Sequence, residues 1–191
     1  MNTDLYVVKY VSPHNRPPCP EELFARRIAR ELKVPTVNAI NIAATAMAAL
    51  IDGPCWLVPV PASTGSLIPN LRLAVAIARL VPLARIKCAV ARSHPVPSST
   101  LLRRCGQPGL RVEEHAIVRA VGPIELVPVY FVDNVITTGN TVEACRRALG
   151  WGHGLAYADA GGKAFRHCGQ RNHESKSLIC QRQDLSQKQL A

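Results

Sequence analysis

The sequence predicts an α/β protein, a mainly parallel sheet flanked by helices. Three observations predict it. Short apolar runs such as Trp56-Leu57-Val58-Pro59-Val60 and Tyr130-Phe131-Val132 have the length and continuity of strands buried on both faces. Stretches with helical spacing, bounded by Pro, Asn and Gly, alternate with those runs. The segment from Val129 to Leu149 joins a hydrophobic strand to a helix through a turn of small hydroxylated residues, the arrangement that binds anions in such sheets.

Taken in order, Leu5–Val11 is expected to be an edge strand, followed by a Pro-rich loop to Pro20. Pro20-Glu21-Glu22 opens a helix with Pro early and acids in the first turn, and Leu23, Phe24, Ile28 and Leu32 are expected along its apolar face, with Arg26, Arg27 and Arg30 outside. Val37–Ile51 reads as a second, largely buried helix stopped by Asp52-Gly53-Pro54. The run at Trp56 is a buried strand, Asn70–Leu80 a helix and Arg85–Ala91 the next strand. Arg92–Pro108 reads as a long polar loop, and a helix is expected within Arg111–Val121. Pro128–Val132 is a strand that ends at an acid, Asn140–Leu149 a helix and Gly154–Ala158 a last short strand. This divides the chain into a strand and helix extension at 1–54 packing on the core, an α/β core at 55–161, and a polar, basic tail at 162–191.

The chain of 191 residues suits one ordinary core. Seven scattered cysteines, an odd number without a C-x-x-C pair, imply reduced thiols in a cytoplasmic protein. The acidic start Met1-Asn2-Thr3-Asp4 is unlike a secretion signal. Val34–Ile51 is interrupted by Pro35, Asn38 and Asn41, so no membrane span is expected. The net charge is +10, and residues 55–130 hold nine Lys and Arg against three Glu. That excess attracts anions, either phosphorylated small molecules or nucleic acid.

The chemistry concentrates in Val129-Tyr130-Phe131-Val132-Asp133-Asn134-Val135-Ile136-Thr137-Thr138-Gly139-Asn140-Thr141. Asp133 can accept hydrogen bonds from ribose hydroxyls. Thr137, Thr138 and Thr141 supply hydroxyl donors, and Gly139 permits a positive φ and close approach of a ligand. Asn140 reads as the helix N-cap, with Glu143 completing a capping-box pattern. The turn's N–H groups and the helix dipole together suit a phosphate monoester.

This string resembles the phosphoribosyl pyrophosphate (PRPP) motif of type I phosphoribosyltransferases, and Leu57-Val58-Pro59-Val60-Pro61 is similar to the first core strand of the competence protein F branch of that fold. The resemblance covers about Trp56 to Gly161. It implies a phosphoribosyltransferase acting on a nitrogen acceptor with release of pyrophosphate. By position, Asp133 would contact the ribose, directly or through Mg²⁺, and Asn134 would stand beside it. Thr137, Thr138, Gly139, Asn140 and Thr141 would hold the 5′-phosphate. Ala62, Ser63, Thr64, Gly65 and Ser66 would form the pyrophosphate loop. Arg92, Arg103 and Arg104, in or beside a loop that closes over the site in that family, would neutralise the leaving pyrophosphate. Asn134 departs from the family pattern, which usually has a second acid there, and this weakens the expected Mg²⁺ site. The alternative is a non-catalytic PRPP or nucleotide sensor, or an effector within a toxin or defence cassette, with nucleic acid or protein as partner. Dimers are common for this fold. His167, Cys168, His173 and Cys180 have zinc-type donors, but their spacing matches no familiar structural site.

Overall fold

A computed structural model describes residues 4–9, 19–122 and 124–160. The chain runs β1 (Leu5–Lys9), α1 (Pro20–Glu31), α2 (Val37–Ala48), β2 (Cys55–Pro59), α3 (Ile68–Ala78), β3 (Ala84–Ile86), β4 (Val90–Arg92), α4 (Ser99–Arg104), β5 (Ile117–Arg119), β6 (Val129–Ile136), α5 (Asn140–Leu149) and β7 (His153–Asp159). Five strands form a parallel sheet in the order β1-β7-β6-β2-β3, while β4 and β5 pair separately as an antiparallel ribbon.

The strand order places the site. From β2 the chain crosses through α3 to β3 on one side, and from β6 it crosses through α5 to β7 on the other. Right-handed crossovers in opposite directions put the two helices on opposite faces. Leu73, Ala74 and Ile77 of α3 accordingly pack with α1, α2, Leu57, Val132 and Leu155. Val142, Cys145 and Leu149 of α5 pack with Val58, Phe131 and Ala156 on the other face. The direction of the crossovers therefore reverses between β2 and β6, where open α/β sheets bind ligands at the carboxyl ends of their strands.

The register opens that position further. The last β2–β6 pair is Pro59↔Val132, whereas β6 continues beside β7 to Ile136↔Asp159. Val60 N–H still donates to the Val132 carbonyl (3.0 Å), but the next groups of β2 that face β6 turn elsewhere, the Val60 carbonyl to Asn70 Nδ2 (2.8 Å) and Ala62 N–H to the Ser66 carbonyl (2.9 Å), so the ladder stops. Asp133 to Ile136 thus lie beyond the end of β2.

Several elements differ from the sequence expectation. Asp133 lies inside β6 rather than at its end, because pairing with β7 carries the strand four residues further. The apolar face of α1 is Ala25, Ile28, Ala29 and Leu32, with Leu23 and Phe24 exposed. Small alanines at helical spacing let α1 lie close to its neighbours, and this outweighs the larger side chains. α2 ends at Ala48 and buries one face through Ala39, Ala43, Ala44 and Met47, leaving Asn41 and Thr45 exposed. The run at residues 85–91 is two strands: the bond from Ala89 N–H to the Lys87 carbonyl (2.9 Å) turns a corner out of the main sheet. The loop at 92–108 contains α4. In place of a helix within 111–121 there is one 3₁₀ turn, Glu113–His115, and then β5, with Ala116 between them at φ 54°. That left-handed residue ends the helical path.

Among the described residues no helix is long and apolar enough to cross a membrane. Cys19, Cys55, Cys88, Cys105 and Cys145 are free thiols.

Gly152 leads into β7 at φ +130°, and a Cβ there would lie 2.5 Å from Cε2 of the fully buried Phe131. Gly152→Ala is expected to destabilise the fold by about 2–4 kcal/mol, from overpacking and backbone strain together. Chemical denaturation should show this as a lower midpoint with an unchanged slope.

Candidate functional site

Asp133 is half-buried on β6, one residue beyond the last pair with β2. Its Oδ1 accepts from the Asn134 N–H (2.8 Å) and from Asn70 Nδ2 (3.3 Å). Asn70, buried in the first turn of α3, also donates to the Val60 carbonyl (2.8 Å). One amide thus ties the end of β2 to the acid on β6. Burial pushes the Asp133 carboxyl above its ordinary range, against the lowering pull of these hydrogen bonds and of the nearby Arg92 and Lys33 cations.

The turn after β2 forms one wall. It closes through the bond from Ala62 N–H to the Ser66 carbonyl (2.9 Å), with Gly65 at φ +88°. Arg92, at the end of β4, holds it in place. Its Nε donates to the Ala62 carbonyl (2.7 Å) and its Nη1 to the His115 carbonyl. Val96 N–H also donates to the Ser63 carbonyl (2.8 Å). Burial pulls the Arg92 pKa below its ordinary value, while the nearby Asp133 acts to raise it.

The turn after β6 forms the other wall. Gly139, at φ 79°, is the N-cap of α5, and Asn140 is the first helical residue. This corrects the expected cap. Asn140 Nδ2 donates to the Leu110 carbonyl (2.7 Å), and Glu143 pairs with Arg146 (2.5 Å) and Arg147 (3.2 Å) instead of closing a capping box. The N–H groups of the first helical turn have no partner within the helix, the setting in which helix starts take up anions. Thr138 Oγ1 accepts from Asn140 N–H (3.4 Å), and Thr141 Oγ1 lies 3.3 Å from His115 Nδ1. The chain from Leu110 to His115 therefore lies against the start of α5.

Asp133, Arg92, the 62–66 turn and the 137–141 turn are linked by hydrogen bonds at the carboxyl ends of β2 and β6, the position at which open α/β sheets form their crevice. Asn134 is directed elsewhere: its Nδ2 reaches the Ala29 carbonyl of α1 (3.5 Å). Arg104 is exposed on α4 and makes no bond to crevice residues among those described. Arg103 is on the same helix, and its side chain lies outside the described residues, as do His167, Cys168, His173 and Cys180. Two residues of the site carried no sequence signal. Asn70 looked like part of an ordinary helix start, and His115 was placed in a helix that does not form.

No family model, curated protein or solved structure matches this chain.

Two outcomes follow from this geometry. Arg92→Ala removes a partly buried cation and its bonds to two carbonyls, so it should destabilise the protein by about 2–4 kcal/mol in equilibrium denaturation. A loss below ~1 kcal/mol would deny Arg92 that role. For Asp133, the folded-state pKa lies above the ordinary 3.8. Its contribution to stability therefore declines as pH rises from that value through the raised one. Asp133→Asn retains an acceptor without the charge. Its melting temperature at pH 7 should match or exceed wild type, and any advantage should shrink toward pH 4. A variant less stable at pH 7 than at pH 4, relative to wild type, would contradict this.

Proposed function

We propose that the protein binds PRPP or a related ribose 5-phosphate compound in this crevice and transfers the phosphoribosyl group to a nitrogen acceptor. In that reaction the bond from ribose C1 to pyrophosphate breaks and a C1–N bond forms. Pyrophosphate leaves with the electron pair, and the acceptor nitrogen gives up its proton. The observation that carries the proposal is the convergence of one half-buried carboxylate and two small-residue turns at the point where the crossover direction reverses. The type I phosphoribosyltransferase-like fold is part of this reading, supported by the order of the parallel strands together with the motif at 129–141.

In this reading the N–H groups at 138–141 and the Thr137 and Thr141 hydroxyls bind the 5′-phosphate. Asp133 accepts from the ribose hydroxyls. The 62–66 turn faces the pyrophosphate, and Arg92 both shapes that turn and adds positive charge beside it. The reaction needs no protein nucleophile. Positioning, and stabilisation of the charge that builds on pyrophosphate, account for the rate.

Mg²⁺ fits this donor set through Asp133 alone. Such ions are often held by one carboxylate, with substrate oxygens and water completing the shell. No group of three or more His, Cys, Asp or Glu side chains gathers among the described residues. Asn134, turned toward α1, adds no ligand. When bound, Mg²⁺ would offset the charge of the pyrophosphate.

A second reading is a PRPP or nucleotide sensor without turnover. It is favoured by Asn134, and by an Arg92 guanidinium already engaged with two carbonyls. The exposed Arg27 and Arg30 on α1 offer such a sensor a basic surface for nucleic acid or a protein partner.

Calorimetric titration with PRPP, with and without Mg²⁺, tests binding in either case. Wild type should bind more tightly with the metal. Asp133→Ala should lose roughly tenfold to a hundredfold in affinity, the cost of about 1.5–3 kcal/mol for charge-assisted hydrogen bonds. Equal affinity in the two proteins would remove Asp133 from the site. Pyrophosphate release with a panel of nucleobases and amines then separates enzyme from sensor.

A further inference from the structure

We propose that His115 belongs to the phosphate site, and that its imidazole takes up a proton when a phosphate dianion seats at residues 137–141. The inference rests on the reading of that turn as a phosphate site. It assigns the turn a residue that selects a doubly charged phosphate monoester over an uncharged sugar.

The geometry is specific. His115 is buried, with 7% of its surface exposed, at the end of the 3₁₀ turn that lies against α5. Its Nδ1 is 3.3 Å from Thr141 Oγ1. A phosphate oxygen accepting from that hydroxyl would lie at most about 6 Å from the ring nitrogen, because O–H···O bonds span ~2.7 Å. The turn is fixed at three further points. Arg92 donates to the His115 carbonyl, Asn140 donates to the Leu110 carbonyl, and Glu113 pairs with Arg147 (2.5 Å).

The charges around the ring set the direction. Without ligand, burial and the neighbouring Arg92 hold the His115 pKa below its ordinary value, and Glu114 only partly opposes them. The ring is then neutral at pH 7. Glu113 and Glu143 on this side are engaged with Arg147 and Arg146. The Cys145 thiol, pushed up to about 12, remains uncharged. A bound dianion brings two negative charges against this cationic setting and favours the imidazolium. With Nδ1 protonated and donating to Thr141 Oγ1, the Thr141 hydroxyl proton is free to point at the phosphate.

The test is a pH titration of the histidine side-chain NMR signals of wild type, pH 5 to 8, alone, with ribose 5-phosphate and with ribose. The His115 signal is identified by its absence in His115→Gln or, if that variant does not fold, by its displacement in Thr141→Val. With ribose 5-phosphate the His115 midpoint should rise by about 1 pH unit or more, the effect of opposite charge within ~4–6 Å. Ribose should leave it unmoved. If ribose 5-phosphate binds and shifts the Thr137–Thr141 amide signals while the His115 midpoint stays put, the proposal fails and the phosphate site stands. If millimolar ribose 5-phosphate moves neither set of signals, the phosphate site fails and the proposal falls with it.

Discussion

The Val60 carbonyl accepts from Asn70 and the Ala62 N–H donates to Ser66 where both would otherwise meet β6, and the early stop this imposes on the β2–β6 ladder is the constraint from which the rest of the site follows. Because β6 has β7 on its other side, it continues past that stop to Ile136. The four-residue overhang gives Asp133 a crevice on the β2 side instead of a neighbouring strand. The Asn70 amide that takes up the Val60 carbonyl also reaches Asp133. A flush sheet edge would have buried the acid between paired strands, with no access for a ligand.

Holding that crevice open costs stability. A carboxylate and a guanidinium are both withdrawn from water there, and each has its pKa pushed toward the neutral form by burial. Their mutual attraction offsets only part of this. Arg92 persists because it donates to the His115 carbonyl and adds a second donor to the Ala62 carbonyl, which also accepts from Gly65 N–H. In doing so it links the 62–66 turn to the ribbon of β4 and β5, and through His115 to the start of α5. The two walls of the crevice are thereby coupled through one side chain.

The legible part of this architecture is the part set by local pattern. The β2 run, α3 and α5 could be read from apolar continuity, helical spacing and turn residues, and so could the small-residue turn that leads into α5. The rest depended on tertiary context. Nothing local distinguishes the corner at Lys87–Ala89 from the middle of a strand. Nor does the sequence show that Ala116 adopts a left-handed conformation, which breaks the expected helix into a 3₁₀ turn and a strand. Asn140 had the chemistry of a cap, but Gly139 tolerates the positive φ at that position, and the Asn140 amide went to Leu110 instead. Asn70 and His115 acquire their roles only through partners 63 and 26 residues away in sequence.

Diffraction from crystals soaked in ribose 5-phosphate tests the account most directly. It predicts phosphate density against the N–H groups of residues 138–141, with the sugar hydroxyls toward Asp133 and the 62–66 turn opposite C1. Density for the ligand elsewhere, with the first turn of α5 left to water, would contradict it.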